Sequence, residues 1–499
     1  MSSAAPVSDR VDGSTTAGNL DAQVRETHTG LVALVGNRAY KVKKPVATDF
    51  LDFTTLESRE RACAREVALN SRLSPESYFG VSHFTDPGTG AAEPVIVMRR
   101  YPDSARLASL VRGGRSVHDH LDAIAERLAD FHRDSARSAA VNAGGEVGAI
   151  TKRWHDNLDA LSCIAGTVIT ADQIHEMRRL ADRFIAGRES LFARRIAQRR
   201  VVDGHADLLA DDIFCLSDHL AILDCLEFDD ELRYLDAVDD AAFLAMDLEF
   251  LGRRDLGDHF IDAYRRHAAD PAPKSLREFY IAYRAAVRAK VDCVRVMQGH
   301  PEAAADARRH FDIAREHLRS GTVQLVVIGG GPGAGKTTLA RALAEPLEAE
   351  VISTDDVRRQ MLRAGEISGT AGAFNAGLYA PENVAAVYDE VLRRADAALR
   401  GGRSVILDGT WRDPGRRDRA RVLAQGDSCP VVELVCSAPL EEAATRVETR
   451  FATTSDATPE IAAAMSDEFI ASHGGHVIDT TRPLAQSVAE AHQICCLAI

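Results

Sequence analysis

Several things are missing from the chain, and each absence removes a class of explanation. Its nine cysteines (Cys63, Cys163, Cys215, Cys225, Cys293, Cys429, Cys436, Cys495 and Cys496) are scattered and odd in number. None forms a C-x-x-C pair, so neither a disulfide framework nor a zinc site is expected. No apolar run reaches the roughly 18 residues of a membrane-spanning helix, and the first twenty residues lack the apolar core of a signal peptide. An excess of positive charge is also missing. With 60 Lys and Arg against 74 Asp and Glu, the formal net charge is −14, which argues against nucleic acid or an anionic membrane as the main partner. No Gly/Ser-rich or Pro-rich stretch separates the two halves, so their joint is expected to be ordered. What is present is 499 residues at 45% hydrophobic content, enough for two or three globular cores. A soluble, cytoplasmic protein with reduced thiols is expected.

The most informative stretch is Gly330-Gly331-Pro332-Gly333-Ala334-Gly335-Lys336-Thr337-Thr338. It fits the pattern G-x-x-x-x-G-K-[ST] and lies between an apolar strand at 325–328 and a helix expected near Thr337. Glycines let successive backbone N–H groups face one point, and a helix N-terminus adds partial positive charge there. Lys336 can then reach the β- and γ-phosphates of a nucleoside triphosphate, and Thr337 can ligate Mg²⁺. ATP and Mg²⁺ are the implied cofactors.

In the first half, residues 31–35 and 38–42 read as strands joined by Gly36-Asn37, a hairpin turn. Lys41 and Lys43 share one strand face, which is either a phosphate-facing position or a solvated strand end. A helix at 56–73 carries Glu66, and a third strand at 95–98 runs into Arg99-Arg100-Tyr101-Pro102. A lysine strand, a glutamate helix and a strand leading to a hinge follow the order of a kinase small lobe. Farther on, Asp207 and Asp212 stand five residues apart, and Asp224 ends the next short strand. Phosphoryl transfer needs one carboxylate to orient an acceptor hydroxyl and further oxygens to hold Mg²⁺. An acidic surface loop is the plainer alternative.

The run His205-x-Asp207 with Asp212, followed by Ile222-Leu223-Asp224-Cys225-Leu226-Glu227, resembles the H-G-D-x-x-x-x-N and I-D-x-x-E signatures of the aminoglycoside phosphotransferase and choline kinase-like family. The resemblance covers most of residues 24–300. It implies Asp207 as catalytic base, Asp212 and Asp224 as Mg²⁺ ligands, Lys41 on the phosphates with Lys43 as the alternative, and Glu66 orienting the lysine. It also implies Asp240 as a buried acid bracing the catalytic loop. Ala206 stands where the family has glycine, Asp212 where it has asparagine, and no glycine-rich loop precedes Lys41. On the helix expected at 276–296, Arg284 and Arg288 share a face, read as solvated or ion-paired.

From 325 onward apolar strands (325–328, 351–353, 404–407, 431–435, 476–478) alternate with helices. This pattern predicts a parallel sheet covered on both faces, with chemistry at the carboxyl ends of its strands. The apolar run into Asp408 looks like a Walker B strand that puts a carboxylate near the Mg²⁺. Asp355 can accept a proton from an acceptor hydroxyl, unless it or Asp356 only caps the next helix. Arg446 and Arg450 share one face of a helix at 439–450, which is either a solvated face or a lid whose arginines, with Arg358 elsewhere, contact the transferred phosphate or the acceptor. This half resembles gluconate kinase, polynucleotide kinase-type and zeta-toxin-like P-loop kinases. The whole chain resembles bacterial fusions of an aminoglycoside phosphotransferase-like and an ATP-binding domain.

The expected fold is therefore α/β and multidomain. After a disordered 1–20 comes a bilobal protein-kinase-like (α+β) domain at 21–300, then a helical connector at 301–320. A P-loop NTPase domain with a five-stranded parallel sheet follows at 321–499. The expected activity is ATP-dependent phosphorylation of a small-molecule hydroxyl. Two alternatives stand beside it: an N-terminal pseudokinase sensor coupled to one active P-loop kinase, or a nucleotide-dependent switch that docks a partner.

Overall fold

A computed structural model describes residues 23–26, 30–48, 51–85, 88, 90, 92–163, 166, 168–370, 376–448 and 475–499. The expectation of disorder at 1–20 and the site residue Arg450 lie outside these described residues. The described chain falls into two compact units, one running to Ser116 and including Ala210–Asp230, the other comprising Val117–Leu209 and Glu231–Ile499.

The first unit is built on a five-stranded antiparallel sheet in the order Gln23–Glu26, Gly30–Val35, Arg38–Lys43, Ala92–Arg99, Tyr78–Thr85. The two middle hairpin strands are those expected. Both edge strands lie outside those expected, because Gln23–Glu26 is exposed throughout with a single apolar residue, Val24, and Tyr78–Thr85 is interrupted at Gly80, where the pairing register shifts. Helix Leu56–Asn70 packs on the sheet, capped by Thr55, whose side chain accepts from the Ser58 N–H. Its buried face carries Cys63 and Glu66, and the apolar cluster beneath includes Ile96, Tyr101 and Phe214. A short antiparallel pair, Ile213–Cys215 with Leu220–Ile222, brings the Leu223 N–H onto the Asp212 carbonyl at 3.0 Å.

The second unit joins a helical bundle to a parallel sheet flanked by helices. Its parallel sheet has the order Glu350–Ser353, Val405–Asp408, Leu325–Gly329, Val431–Ser437, His476–Asp479. Every strand expected in this half is present. Asp408 is the last residue of its strand. The core under the sheet is Val326, Ile328, Ile406, Leu434 and Ile478 against Leu339 and Leu343.

No flexible joint separates bundle from sheet. Helix Ala303–Ser320 lies antiparallel against Lys274–Met297, and the Ser275 hydroxyl donates to the Gly402 carbonyl at 2.6 Å. The Arg188 guanidinium, buried, donates to the Asp427 carbonyl at 3.0 Å. A Cβ at Gly187 would lie 2.0 Å from that same oxygen, so the helix end meets the loop backbone at a distance only glycine allows.

Where the two long helices meet, His317 is buried between Glu278 (2.6 Å) and Glu249 (2.7 Å). Burial alone would lower its pKa, but the two carboxylates outweigh burial and raise it to about 9. The folded value exceeds the ordinary histidine value of roughly 6.5, so this stabilisation is complete below that pH and lost as pH rises through 9. Unfolding by urea should accordingly become easier by up to about 3 kcal/mol between these limits. His317→Gln should flatten the dependence; an unchanged slope would assign it to other groups.

Candidate functional site

In the first unit, both lysines converge on Glu66. Lys41 Nζ lies 2.9 Å from Glu66 Oε1 and 2.5 Å from Asp224 Oδ1. Lys43 Nζ lies 2.6 Å from Glu66 Oε2 and pairs with Glu227. Alternation along the strand puts both on one face, as expected, but their surroundings differ. The Lys43 side chain is sealed at 1% exposure, whereas Lys41 meets Asp224, whose side chain is 46% exposed. Burial pulls the Lys41 ammonium down, but Asp224, Glu66 and Glu227 hold it well above the ordinary lysine value. Asp224 sits in the left-handed region at φ +65, an uncommon conformation for a residue with a side chain. Its neighbour Leu223 is tied to Asp212, so the backbone holds Asp212 and Asp224 side by side. Glu227 was quoted in the sequence signature but given no role; it neutralises Lys43.

The Asp207 loop belongs to the second unit. Asp240, fully buried, accepts from the backbone N–H groups of His205 (2.6 Å) and Ala206 (2.7 Å) and from His132 Nε2 (3.0 Å). A Cβ at Gly204 would stand 2.6 Å from the same carboxylate. The Asp207 N–H donates to His205 Nδ1 at 3.3 Å. Of the two readings of Arg284, solvated or ion-paired, the second holds. It is buried, donates to Asp239 at 2.7 Å, and reaches the Ala206 carbonyl at 3.3 Å.

Ala206 adopts φ +70, where the resembled family has glycine and where an L-residue is strained by roughly 1 kcal/mol. Ala206→Gly should therefore leave stability level or raise it by up to about 1 kcal/mol, as measured by thermal unfolding. A loss above that would mean that the Ala206 methyl contributes packing.

At the carboxyl ends of the parallel strands, Gly330, Gly333 and Gly335 have φ of +146, +78 and +86. A Cβ at Gly333 would lie 2.2 Å from the Ala443 carbonyl. Helix Lys336–Leu347 starts directly after the loop. Lys336 Nζ lies over the loop, donating to the Gly331 carbonyl at 2.8 Å. The Thr337 hydroxyl donates to Asp408 Oδ2 at 2.8 Å. Burial, with Asp355 adding to it, holds the Asp408 carboxyl above its ordinary value against the pull of Lys336 and Thr337. A hydroxyl and a carboxylate joined beside a second carboxylate form a donor set that suits Mg²⁺, a hard cation that keeps phosphate and water in its remaining positions. Among the described residues no three His, Cys, Asp or Glu side chains gather as a metal cage, and Mg²⁺ with a triphosphate requires none.

Asp355 opens helix Thr354–Ala364, with Arg358 Nη1 on its Oδ1 at 2.6 Å and the Arg358 guanidinium 4.5 Å from the Tyr379 ring centre. Arg446 braces the loop from the side: it donates to the Thr480 carbonyl (2.9 Å) and the Gly333 carbonyl (3.4 Å). The Thr480 hydroxyl in turn donates to the Ala334 carbonyl at 2.9 Å. Sequence reasoning missed Thr480, because a threonine after a strand carries no motif. It also missed buried Trp411, at φ +48, whose ring meets Tyr388 edge-on with centroids 4.9 Å apart.

Two curated proteins, Rv2004c of Mycobacterium tuberculosis and Mb2027c of Mycobacterium bovis, both described as uncharacterized, are each 56% identical to this chain over 471 residues. The alignments cover 94% of this chain and 95% of theirs. The chain belongs to the family of these mycobacterial proteins. Within this family member, residues 325–471 match the model described as AAA domain. Among solved structures, a choline/ethanolamine kinase family protein from Mesorhizobium loti is 18% identical, with TM-score 0.37, covering 61% of this chain and 94% of that one. A gluconokinase from Sinorhizobium meliloti is 18% identical, with TM-score 0.26, covering 35% and 93%. No helix of the described residues is long and apolar enough to cross a membrane. None of the nine cysteines forms a disulfide.

Proposed function

We propose that the chain is a cytoplasmic, ATP-dependent phosphotransferase with a kinase-type domain at 21–300, a connector at 301–320 and a P-loop kinase domain at 321–499, acting on a small-molecule hydroxyl. The observation that carries the reading is the bond between Thr337 and Asp408 beneath the glycine loop, with Lys336 poised above it. Mg²⁺, when bound, supplies charge neutralisation at the phosphoryl oxygens. The glycine-loop N–H groups and Lys336 bind and orient the phosphates, and Thr337 and Asp408 hold the metal. Arg358 occupies Asp355 Oδ1, which leaves Oδ2 to orient the acceptor hydroxyl and take its proton.

In the N-terminal domain, Lys41 rather than sealed Lys43 serves the phosphates, Asp212 and Asp224 hold Mg²⁺, and Asp207 is the base. Little covalent work falls to the protein; positioning and charge supply the rate. A second reading, in which this domain senses a ligand without turnover, is favoured by the direct Lys41–Asp224 ion pair, which ties up two groups that catalysis would use.

The test is ADP release from wild type, Asp207→Asn and Lys336→Met against amino sugars, aminoglycosides, sugar acids, choline analogues, nucleosides and nucleotide sugars. Acceptor-stimulated turnover lost only in Lys336→Met places the chemistry in the P-loop domain and makes the other a sensor. Loss only in Asp207→Asn places it in the N-terminal domain. No stimulation by any acceptor would overturn the phosphotransferase reading in favour of a nucleotide switch.

A further inference from the structure

On the bundle side of the Asp207 loop, the second unit carries an open cleft of about 290 Å³ lined by Arg133, Arg137, Arg199, Arg200, His132 and His267. No carboxylate lines it, in a chain whose formal charge is −14. Gathering like charges around one space costs free energy, and the cost grows where water is partly excluded.

Some of these cations have structural duties. Arg137 caps the end of helix His118–Asp134 by donating to the His132 carbonyl at 2.7 Å, and it reaches the Arg199 carbonyl at 3.1 Å. Arg200 donates to the carbonyls of Ala268 (3.0 Å) and Ala269 (2.8 Å). Arg133 pairs with Asp130 and Asp134, which are exposed. Asp130 and Asp134 offset Arg133, whereas the carbonyl contacts fix the guanidinium groups of Arg137 and Arg200 without supplying a counter-charge. The buried acid beside Arg200, Asp270, stands 4.0 Å away and is already claimed by Arg195 at 2.5 Å, and buried Asp240 is taken by His132. Arg200 Nε is buried with no hydrogen-bond partner, and an unpaired buried donor is costly. Burial and the neighbouring Arg199 and Arg200 hold the Arg137 guanidinium below the ordinary arginine value. Arg199 is held at φ +59, a conformation that costs a side-chain-bearing residue energy.

We propose that this cleft binds a small phosphorylated metabolite, its phosphate held by the Arg199–Arg200 corner and Arg137. A volume of about 290 Å³ accommodates a sugar phosphate and is small for a nucleoside triphosphate. None of its lining residues belongs to either proposed nucleotide site. The cleft also touches the Asp207 loop through two routes. Residues 198–200 lead straight into strand Val201–Asp203, and His132 in the cleft wall bonds Asp240, the acid that holds His205 and Ala206. An occupant is therefore placed to bias that loop.

The test is calorimetric titration of ribose 5-phosphate into the full-length Lys336→Met protein, in which the glycine loop no longer competes for phosphate, with ATP present to fill the N-terminal nucleotide site. Ribose and inorganic phosphate are titrated in parallel. Arg199→Asn removes one charge while tolerating the left-handed backbone, and His267→Gln is a second, exposed change. Ribose 5-phosphate should bind with Arg199→Asn weakening it by roughly tenfold or more, as loss of a charge-assisted hydrogen bond requires. Equal binding by inorganic phosphate would support a site that reads the phosphate alone. Binding unchanged in both variants, binding by ribose, or no heat at millimolar ribose 5-phosphate would overturn the proposal.

Discussion

Lys336→Met should lower nucleotide-dependent turnover in the P-loop domain by about 10³-fold, the loss typical of removing a preorganised donor from developing negative charge. Methionine keeps the unbranched stem and removes the ammonium. In the present geometry Lys336 Nζ donates to the Gly331 carbonyl, so it is already folded back over the loop where the β- and γ-phosphates would lie. The loop's shape does not depend on that ammonium alone, because the loop is held by Arg446 and Thr480 from the side and by the close approach of Gly333 to Ala443. The substitution should therefore spare the fold, leaving the thermal midpoint nearly unchanged while turnover collapses. Single-turnover ADP formation with the Asp207→Asn background removed from the count checks this. Retained turnover would mean that Lys336 does not serve the phosphates.

Asp240→Ala should destabilise the Asp207 loop by about 3 to 5 kcal/mol, the usual cost of removing one member of a buried charged network. Three donors converge on this carboxylate, and all three would be left buried and unpaired. His132 also meets the Tyr264 hydroxyl at 2.8 Å through Nδ1, so the disturbance reaches the next helix. Asp240→Asn retains one acceptor and should cost less.

Because two domains make global unfolding hard to interpret, the local readout is preferable: amide hydrogen exchange at His205 and Ala206 should speed up about 10²-fold or more. Unchanged protection would mean that the loop is held elsewhere. There is a pH counterpart. Burial alone would raise the Asp240 carboxyl, but His132 and His205 outweigh it and depress the value. A depressed acid stabilises above its unfolded value of roughly 4 and loses that contribution as pH falls through the folded one. Protection of the loop should thus hold at neutral pH and fail in strong acid.

The centre of the P-loop domain was legible because Leu325–Gly329 and Val405–Asp408 are apolar runs, the second ending on Asp408, buried along their whole length, and a strand buried on both faces has no other sequence solution. The glycine loop was legible for a related reason: left-handed φ values, and an Ala443 carbonyl that would stand 2.2 Å from any Cβ at Gly333, restrict the residue type. The small-lobe edge strands were not, since an edge strand is half solvated and its side chains need not alternate. Nor could the sequence choose between Lys41 and Lys43. Alternation puts both on one face, and only the packing of Glu227 over one and Asp224 over the other separates them.

Arg284 and Arg446 show the limit most plainly. A charged residue at helical spacing is equally compatible with solvent, substrate or a buried carboxylate, and the choice depends on what a distant segment brings to it. For Arg284 that segment is Asp239 and the Ala206 carbonyl; for Arg446 it is Thr480 and Gly333. The sequence by itself determined where backbone conformation and hydrophobic period leave one answer: the glycine loop, the parallel strands and the polar groups at their ends. The tertiary structure alone decided the partners of the charges, because electrostatic pairing acts across segments far apart in the chain and leaves no periodic trace in it.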